Sequence, residues 1–454
     1  MSDLKPDQLQ TDAREVTARL QQAGHTAFWA GGCVRDILMG RQPKDYDIAT
    51  SALPDQVLQL FPHAITVGKS FGVVRVPWHG HHFEIATFRR DFSYRDGRRP
   101  DFVVFADAVE DAQRRDFTIN AIFYDPVAAQ WHDFVDGRRD LKAGVIRAVG
   151  DPAARFKEDH LRMLRAIRFA ATLNFKLDEA TARAITTHAE SIKRISAERI
   201  QIEITRSMLE SPRAGEAIRQ MEELGLMQHI MPEVSAMRGQ EQPPQFHPEG
   251  DVFTHTVLML NAMNPQPPLR LAWAALLHDV GKPPTCRVTE TRLRFNGHAA
   301  VGAKMAAAIM HRLRMSKDDT KAVSFCIANH MRFMEVQRMK RSTLLRLIGA
   351  ETFPLELELH RLDCLASHGD LDNYNFLQEF IRARAAEPVL PPPLISGHDI
   401  ISLGIHNGPE IGHWKKAAYE AQLNNLFADQ DAAMEWLRQQ ISSTASLAHP
   451  QAPK

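Results

Sequence analysis

The stretch AFWAGGCVRDILMGRQPKDYDIAT, residues 27–50, combines an apolar run, a glycine pair, a helical segment and two closely spaced aspartates. The apolar run ends at Ala30 and predicts a strand, and the letters CVRDILM predict a helix. Between them, Gly31 and Gly32 allow the backbone to approach a phosphate, and the helix N-terminus offers free N–H groups to it. This stretch therefore predicts a strand–turn–helix unit that can hold a phosphate.

Carboxylates follow this unit with a regular spacing. Asp45 and Asp47 lie two residues apart in KDYDIA, which is typical of a strand, so both side chains are expected to point the same way. Adjacent carboxylates repel each other unless cations neutralise them, and Mg²⁺ is suited to oxygen ligands. Glu84, in the strand-like run FEIATF, could add a third carboxylate from the same sheet. A single acidic residue here would more often be a solvated strand edge or a salt bridge, but the ordered set favours a metal site.

A second polar segment, DPAARFKEDHLRMLRAIRFAATL, begins at Asp151. Asp151 and Pro152 predict a helix N-cap followed by proline at the first helical position. Asp159 and Arg162 are three apart and are expected to share a helix face, where they could hydrogen-bond the pairing edge of a base. An intrahelical salt bridge is the simpler alternative for this pair. The same segment also carries Arg155, Lys157, Arg165 and Arg168.

Composition limits the class of protein. The 454 residues suit about three domains, and Lys+Arg and Asp+Glu balance at 55 each, which argues against unspecific coating of nucleic acid. No apolar run approaches the roughly 20 residues of a membrane span, and the N-terminus lacks a signal-peptide core. The four cysteines are scattered, without a C-x-x-C motif. A protein of the reducing cytoplasm, without a membrane partner, is the expectation.

Changes in pattern along the chain predict its organisation. Strand-like runs end near residue 150, and Pro/Gly-rich breaks occur at residues 239–250 and 387–397. We predict an α/β head (1–150), a helical neck and body (151–240), a histidine-rich helical domain (241–386), a helical tail (387–440) and a disordered end (441–454).

The histidine-rich segment predicts a second metal site. LAWAALLHD is an apolar helix that ends at His278 and Asp279, with Gly281 and Pro283 as stop signals. Polar residues at the inner end of an apolar helix are costly unless something is coordinated there. Neutral imidazole and carboxylate are ligands for Mn, Ni, Zn or Fe. A lone core histidine would need no metal, but several histidines and aspartates recur in this segment.

The motifs GGCVRD, KDYDIAT, FEIATFR, DGRRPD, RRDFTINA and EDHLRMLRAIRFAA occur in this order over residues 25–175. They resemble the class II (bacterial-type) tRNA nucleotidyltransferases and the related bacterial poly(A) polymerases. The resemblance implies an α+β fold: a polymerase-β-like nucleotidyltransferase head with a mixed sheet, followed by an all-α neck and body, an HD domain and a tail.

The resemblance also implies site roles. Asp45 and Asp47 would bind Mg²⁺, with Glu84 as the third catalytic carboxylate. Asp159 and Arg162 would form a protein template that selects CTP and then ATP. The remaining nucleotide-binding residues would be Gly31, Gly32, Arg35 and Asp36 around the triphosphate, Arg114, Arg115, Asp116 and Asn120 at the ribose and triphosphate, and Arg165 and Arg168.

HDVGKP and the histidines around it resemble the HD phosphohydrolases. The implied metal ligands are His255, His278, Asp279 and Asp363, for which the nearby Asp370 could substitute. His298 and His330 match histidines that hold a second metal or grip a phosphate in other members. The implied metal is Mn²⁺, Ni²⁺ or a similar transition metal, or Mg²⁺. Hydrolysis of cyclic or 2′-phosphate RNA ends would be its chemistry.

The expected function is therefore template-independent addition of C, C and A from CTP and ATP to the 3′ end of tRNA. Alternatives are A-only addition, poly(A) synthesis, or an inactive head with only the HD hydrolase. VGKSFGVVRV after the aspartates favours the tRNA branch, and residues 90–100 match the family's flexible loop. In the tail, Gly408, Pro409 and Gly412 match the family, whereas the preceding His406-Asn407 departs from it. No protein partner is indicated.

Overall fold

A computed structural model describes residues 7–68, 72–92, 102–245, 247–288 and 293–448. Its strands concentrate in the first third of the chain, where the sequence pattern placed them. They are β1 (Ala27–Ala30), β2 (Asp47–Thr50), β3 (Ile65–Gly68), β4 (Val73–Trp78), β5 (His81–Thr87), β6 (Arg89–Phe92), β7 (Phe102–Phe105), β8 (Ile122–Asp125), β9 (Gln130–Asp133), β10 (Val145–Ile146), β11 (Lys176–Leu177), β12 (Arg287–Val288) and β13 (Leu293–Arg294).

The head is built on one mixed sheet of seven strands in the order β3-β4-β5-β2-β1-β8-β9. Strands β2 and β5 run parallel, with Ile48 opposite Ile85, and the other neighbours are antiparallel. The short strand β1 is buried along its whole length because side chains cover both faces of the sheet. Trp29 packs into the hydrophobic cluster on one face and Phe28 into the cluster on the other. The predicted α+β head with a mixed sheet is confirmed.

Helices dominate the rest of the chain. They are α1 (Gln8–Gln22), α2 (Gly32–Leu38), α3 (Pro54–Leu60), α4 (Ala108–Gln113), α5 (Gly137–Ala143), α6 (Pro152–Glu158), α7 (Arg162–Leu173), α8 (Glu179–His188), α9 (Ala197–Glu210), α10 (Ala214–Glu223), α11 (Met227–Ile230), α12 (Pro232–Ser235), α13 (Val252–Asn261), α14 (Leu269–Leu277), α15 (Lys282–Thr285), α16 (His298–Arg312), α17 (Lys317–Asn329), α18 (Arg341–Ile348), α19 (Phe353–Ala366), α20 (Asp372–Arg382), α21 (Gly397–Ser402), α22 (Gly408–Leu423) and α23 (Gln430–Ala448). Short 3-10 helices cover Thr118–Asn120, Ala189–Arg194 and His330–Arg338.

One hydrophobic core runs through the helical part on both sides of residue 240. It joins Phe156 and Ile167 of the segment after the head to Val257 and Trp273 of the histidine-rich segment. Helix α14 is buried from Leu271 to Leu277, as expected for a helix that is apolar all round. The proline-rich stretch at residues 239–250 therefore does not separate two cores.

The segment that begins at Asp151 folds in part as the sequence indicated. The Asp151 side chain accepts hydrogen bonds from the backbone of Ala153 and Ala154, so the predicted N-cap is confirmed. The expectation that Asp159 and Arg162 share a helix face is wrong, because α6 ends at Glu158 and α7 begins at Arg162. Asp159 has extended backbone angles, and its carboxylate accepts a hydrogen bond from the Leu161 N–H. This local side-chain bond competes with a continuous helix.

Three further expectations have different outcomes. Helix α23 runs through Ala448, so residues 441–448 are helical where we expected disorder, and Ile441 packs against the cluster around Trp414. Residues 449–454 and most of the predicted flexible loop, residues 93–101, lie outside the described residues. Within the described part of the chain, no helix is both long and apolar enough to cross a bilayer.

The close approach of α10 to α13 allows a test of the shared core. A Cβ atom added at Gly215 would lie 2.1 Å from the Val257 carbonyl oxygen. We expect Gly215→Ala to destabilise the protein by about 1–3 kcal/mol, because the helices must move apart. Calorimetry should show an apparent Tm lowered by at least about 3 °C. Gly408→Ala is the control, since a Cβ atom there meets nothing within 4 Å. An unchanged Tm for Gly215→Ala would contradict the tight packing.

Candidate active sites

An arginine-rich cleft of about 470 Å³ lies where the head meets α7 and α9. Seven arginines line it against two carboxylates, those of Asp47 and Asp116. The cleft brings together most of the nucleotide-binding residues expected from the sequence. Its lining is Gly31, Gly32, Arg35, Asp47, Arg114, Arg115, Asp116, Asn120, Arg162, Arg165, Arg168, Phe169 and Arg206. Such an excess of fixed cations is suited to a polyanion.

The carboxylates stand at one edge of this cleft. Tyr46 is buried while Asp45 and Asp47 are exposed, so the two aspartates face the same side, as expected, although Asp45 precedes the strand. The β2–β5 register places Glu84 beside Asp47 on the next strand. Although the side chain reaches the surface, desolvation by the surrounding cleft, followed by the charges of Asp45 and Glu84, raises the pKa of Asp47 to about 6. This repulsion is what a bound cation would relieve. The three carboxylates are not among the compact groups of ligand atoms formed by the described residues.

The glycine turn lets the backbone reach these carboxylates. Gly31 has a φ of +76°, a conformation that favours glycine, and it precedes α2 directly. A Cβ atom at Gly31 would lie 3.6 Å from Arg115 Nη1 and 3.7 Å from Asp47 Oδ2. A larger residue would narrow the space between the cation and the carboxylate. The predicted strand–turn–helix unit thus opens onto the cleft.

The side chains of α2 are tied to the floor of the cleft. Arg35 donates to Asp36 at 2.8 and 3.0 Å and to Asn120 Oδ1 at 3.0 Å. Its guanidinium also lies 5.5 Å from the ring centre of Phe169. Asp36 therefore orients Arg35.

Asp111 is a buried anchor that we did not identify from the sequence. Arg114 donates to Asp111 Oδ1 at 2.6 and 2.9 Å, and Arg115 donates to Asp111 Oδ2 at 3.0 and 3.2 Å. Burial opposes the charge of Asp111, but the two arginines outweigh it and lower the pKa of Asp111. An acidic residue three and four positions before an Arg-Arg pair on a helix is the signal that could have revealed it.

Asp116 links the head to the helical body. Arg165 of α7 donates to Asp116 Oδ2 through Nε at 3.0 Å and Nη2 at 2.7 Å. Asp116 Oδ1 accepts from Asn120 and from the Phe117 N–H. In this arrangement Asp116 fixes an arginine of the cleft wall.

Asp159 and Arg162 are near each other but are held by different partners. Arg162 donates to Glu158 at 2.6 Å and to the carbonyls of Arg155 and Arg114. Asp159 accepts from Arg199 at 2.8 Å, and it does not line the cleft. The alternative of a salt bridge between the two is absent from the ion pairs of the described chain.

Helix α9 contributes residues that sequence reasoning missed. Glu203 is buried and accepts from Arg168 Nε at 2.6 Å, and Arg165 Nη1 lies 3.8 Å from it. Arg206 on the same helix lines the cleft. Phe169 lies within 4.4–5.5 Å of the guanidinium groups of three cleft arginines.

The histidine-rich segment forms a second, separate cluster. His255 lies on α13, His278 ends α14, and His298 begins α16. The other members are Asp279, His330 and Asp363, so the structure brings all six expected metal ligands together. Within it, His255, His278 and Asp363 form one compact group of ligand atoms, and Asp279, His298 and His330 form another. Asp370 is exposed and outside both groups, so the structure favours Asp363.

The backbone orients three of the four imidazoles. The Nδ1 atoms of His278, His298 and His330 lie 2.7–2.9 Å from the carbonyl oxygens of Ala275, Phe295 and Ile327. Each Nδ1 must therefore carry the proton, which leaves the Nε2 lone pair pointing inward. His298 Nε2 and His330 Nε2 are only 3.2 Å apart. Two lone pairs at this distance repel each other unless a shared proton or a bound cation lies between them.

Unpartnered buried atoms support the same conclusion. His278 Nε2 and Asp279 Oδ1 are buried without a hydrogen-bond partner. Burial lowers the pKa of His330 to about 4, which keeps it in the neutral form that binds metals. Burial alone would lower the pKa of His255, but hydrogen bonds to Asp363 and Glu249 raise it to about 9, so a metal would have to displace the proton that this imidazole shares with the two carboxylates. The residues present therefore fit a metal centre.

Two supporting residues of this cluster were not predicted. Glu249 lies in the proline-rich stretch and contacts His255 Nδ1 at 2.7 Å. Lys282 contacts Asp279 Oδ2 at 2.6 Å and donates to Gln242 at 2.6 Å. Lys282 belongs to the motif HDVGKP, which was the signal available in the sequence.

Three family models match consecutive parts of the chain. The Poly A polymerase head domain matches residues 27–147, the probable RNA and SrmB- binding site of polymerase A matches residues 174–237, and the HD domain matches residues 251–366. A CCA-adding enzyme from Geobacillus sp. (strain WCH70) is 46% identical over 216 residues, which is 47% of this chain and 53% of the relative. The chain aligns with about half the length of this and similar curated relatives.

Other comparisons cover nearly the whole chain. The structure of the Bacillus stearothermophilus CCA-adding enzyme in complex with CTP superposes with a TM-score of 0.73 at 25% identity and covers 97% of this chain and 100% of that one. The Thermotoga maritima CCA-adding enzyme shares the fold, with a TM-score of 0.64 at 19% identity over 97% of each chain. The CCA-adding enzyme from Leuconostoc mesenteroides is 30% identical over 440 residues, 95% of this chain and 96% of the relative. Since that similarity extends through all parts of both molecules, this chain belongs to the family of CCA-adding enzymes.

Proposed function

We propose that the arginine-rich cleft adds C, C and A in turn to the 3′ end of tRNA, using CTP and ATP. The observation that carries this proposal is the arrangement of the cleft: seven arginines line one space, and Asp47 lines the same space. A nucleoside triphosphate needs cationic groups along its phosphates and oxygen ligands for its metal. The cleft supplies the cationic groups, and the carboxylates of the head supply the oxygen ligands.

Asp45, Asp47 and Glu84 would hold Mg²⁺, which when bound supplies charge neutralisation at the triphosphate and favours ionisation of the attacking hydroxyl. The chain's own groups do the rest of the work. Arg115 sits 3.6 Å from the Cβ position of Gly31, and so a phosphate lying over the glycine turn meets this arginine. Asp111 and Asp116 keep Arg114, Arg115 and Arg165 extended toward the space before any nucleotide arrives. Preorganised cations of this kind cost little reorganisation during the reaction.

Base selection is proposed for Asp159 and Arg162. Arg162 lines the cleft and is anchored by Glu158, which leaves its guanidinium in a defined place. Asp159 is turned toward Arg199, so it would have to exchange this partner for the base. Asp159 and Arg162 can pair with two different bases if the side chains that hold them move together. CTP and ATP are the proposed pair.

The RNA end is proposed to enter beside α9. Arg206 adds a cation at this side of the cleft, and a probable RNA-binding model covers residues 174–237, which include this helix. The solved Thermotoga maritima relative is described as complexed with tRNA. We therefore propose tRNA as the partner.

The four cysteines are free, as suits a reducing cytoplasm.

Addition of A alone is the alternative that the cleft leaves open, because the loop thought to control the switch lies outside the described residues. Three tRNA transcripts, ending before each of the last three nucleotides, should be incubated with CTP and ATP separately. Extension of the two shorter transcripts by CTP, and of the third by ATP, would support CCA addition. Extension only of the third would support A addition.

The second cluster supports a hydrolase activity. We propose that it hydrolyses phosphoesters at RNA ends, because six metal-binding side chains meet there and the buried His278 Nε2 and Asp279 Oδ1 lack hydrogen-bond partners. A metal bound there would supply an activated water and polarise the phosphate. Lys282, held against Asp279, would add a positive charge beside the phosphate.

The carboxylate edge gives the first functional prediction. Asp45→Asn or Asp47→Asn should lower the addition of both C and A by several orders of magnitude, since both steps share one metal-held triphosphate. Single-turnover rates on tRNA transcripts measure this. Residual addition within about tenfold of wild type would contradict the assignment.

Glu84 needs its own control because it forms an ion pair with Arg75 at 3.0 Å. Glu84→Gln should slow both additions strongly, whereas Arg75→Gln should leave the rates within about threefold of wild type, as for a surface ion pair. Equal losses in the two variants would mean that only the ion pair matters.

Base choice is tested at Asp159. Asp159→Ala should reduce discrimination against UTP and GTP by about five- to hundredfold, the range of one good bidentate contact. Lys157→Ala, which removes an exposed charge from the preceding helix, is the matched control. If Asp159→Ala rejects UTP and GTP as well as wild type does, Asp159 serves only to pair with Arg199.

The two sites should be separable. The double variant His278→Ala, Asp279→Ala should lose bound transition metal and hydrolysis of phosphoester model substrates, because the cluster is left short of two ligands. It should still add CCA to a clean 3′-hydroxyl tRNA. On a tRNA with a 2′,3′-cyclic phosphate, wild type should open and extend the end while the variant stalls.

His311→Ala, an exposed histidine on the same helix as His298, is the control for histidine loss. Absence of hydrolysis by wild type loaded with Mn²⁺ or Ni²⁺ would contradict the proposed hydrolase. A fall in CCA addition that follows metal loss would contradict separability.

A further inference from the structure

A third group of metal-binding side chains lies on the head, outside both sites described above. The β4–β5 hairpin closes through His79 and Gly80, which have φ values of +46° and +87°, as in a two-residue type I′ turn. The turn brings His79 and His81 against the first half of α1. There the helix presents Asp12 and Glu15.

Asp12 is unusual for a helix residue. Its side chain is fully buried, and its Oδ2 atom has no hydrogen-bond partner. Its Oδ1 atom accepts from Gln8 at 2.7 Å. Among the described residues, only the imidazoles of His79 and His81 form ion-pair contacts with it. A buried carboxylate is costly unless a cation neutralises it, and a histidine is not a permanent cation. Asp12 would therefore be stabilised by a bound cation.

The distances suit a small cation. His79 Nδ1 is 3.2 Å from Asp12 Oδ1 and 3.6 Å from Glu15 Oε2. Ligand atoms at 2.0–2.1 Å around a tetrahedral metal lie about 3.4 Å from each other. One atom each from Asp12, Glu15 and His79 form a compact group of ligand atoms. On the other side of the buried carboxylate, His81 Nε2 is 3.7 Å from Asp12 Oδ2.

We propose that Asp12, Glu15 and His79 bind a first-row divalent transition metal such as Zn²⁺, with His81 as the neighbouring donor. Imidazole and carboxylate are a donor set that these metals accept. The hydrogen bonds from Gln8 to Asp12 and from the Trp78 indole to Glu15, at 3.1 Å, orient the two carboxylates as supporting contacts.

The bound metal would cross-link the tip of the β4–β5 hairpin to α1. Strand β5 begins at the bound turn, and Glu84 follows His81 three residues later on this strand. Fixing the strand at its start therefore restricts the movement of a carboxylate at the polymerising site. The role is structural, so it is distinct from the Mg²⁺ and HD chemistry.

The test is metal binding by the full-length protein in the His278→Ala, Asp279→Ala background, which weakens the HD cluster. Zn²⁺ should bind, and a hundredfold excess over its Kd should raise the apparent Tm of the head by about 5–10 °C. Co²⁺ at the same site should show visible d–d absorption. Both signals should be lost in Asp12→Asn and in His79→Asn, whose asparagine tolerates the positive φ.

The control is His82→Ala, because His82 is exposed and points to the other face of β5. It should keep the full Tm rise and the Co²⁺ spectrum. Folding of each variant is checked by its Tm without metal, and His79→Asn guards against failure of the buried Asp12→Asn to fold. Zn²⁺ binding and Tm rise that are equal in wild type and His79→Asn, or a wild type that shows neither, would overturn the proposal.

Discussion

The contact between Arg165 and Asp116 holds the head and the helical body in one arrangement. Burial disfavours the charge of Asp116, yet the guanidinium of Arg165 outweighs this and lowers the pKa of the carboxyl group. The two side chains are partly exposed, at 31% and 12%, so removing one partner is expected to cost less than the about 3–5 kcal/mol typical of a fully buried pair. Because the glycine turn and α7 line the cleft from different parts of the chain, its shape depends on this ion pair together with the bond from Arg162 to the Arg114 carbonyl. The contact therefore both positions the head against the helical body and compensates the charge of Asp116.

Much of the fold follows from local signals. The strand before Gly31, the cap at Asp151 and the apolar helix ending at His278 all lie where residue type alone predicts them. The break between Asp159 and Arg162 escaped prediction because periodicity is the same whether the helix is continuous or interrupted, and the side-chain bond to Leu161 decides it. Helical structure after residue 440 escaped because its stabilisation comes from packing against the tail cluster.

Partners distant in sequence were the least predictable part of both sites. Glu203 carries no motif of its own, and Asp111 carries only the local signal of its spacing before Arg114 and Arg115. Both matter because the fold sets them against the arginines. Asp363 could be separated from Asp370 only after α19 was in place beside His255. The candidate site residues whose types are intrinsically metal-binding or glycine-dependent could be named in advance. Those that act by holding a neighbour could not, because their effect depends on three-dimensional distance.

The core shared across residue 240 bears on how the histidine-rich segment can change over time. Its helices bury side chains such as Val257 and Trp273 against the body that supports the cleft. A lineage can replace the histidines one by one, because their ligand atoms face one another within the cluster. It cannot delete the helices that carry them without exposing the interior of the polymerising half. Retention of the segment in a relative is thus a sign of architectural dependence, whether or not any chemistry persists there.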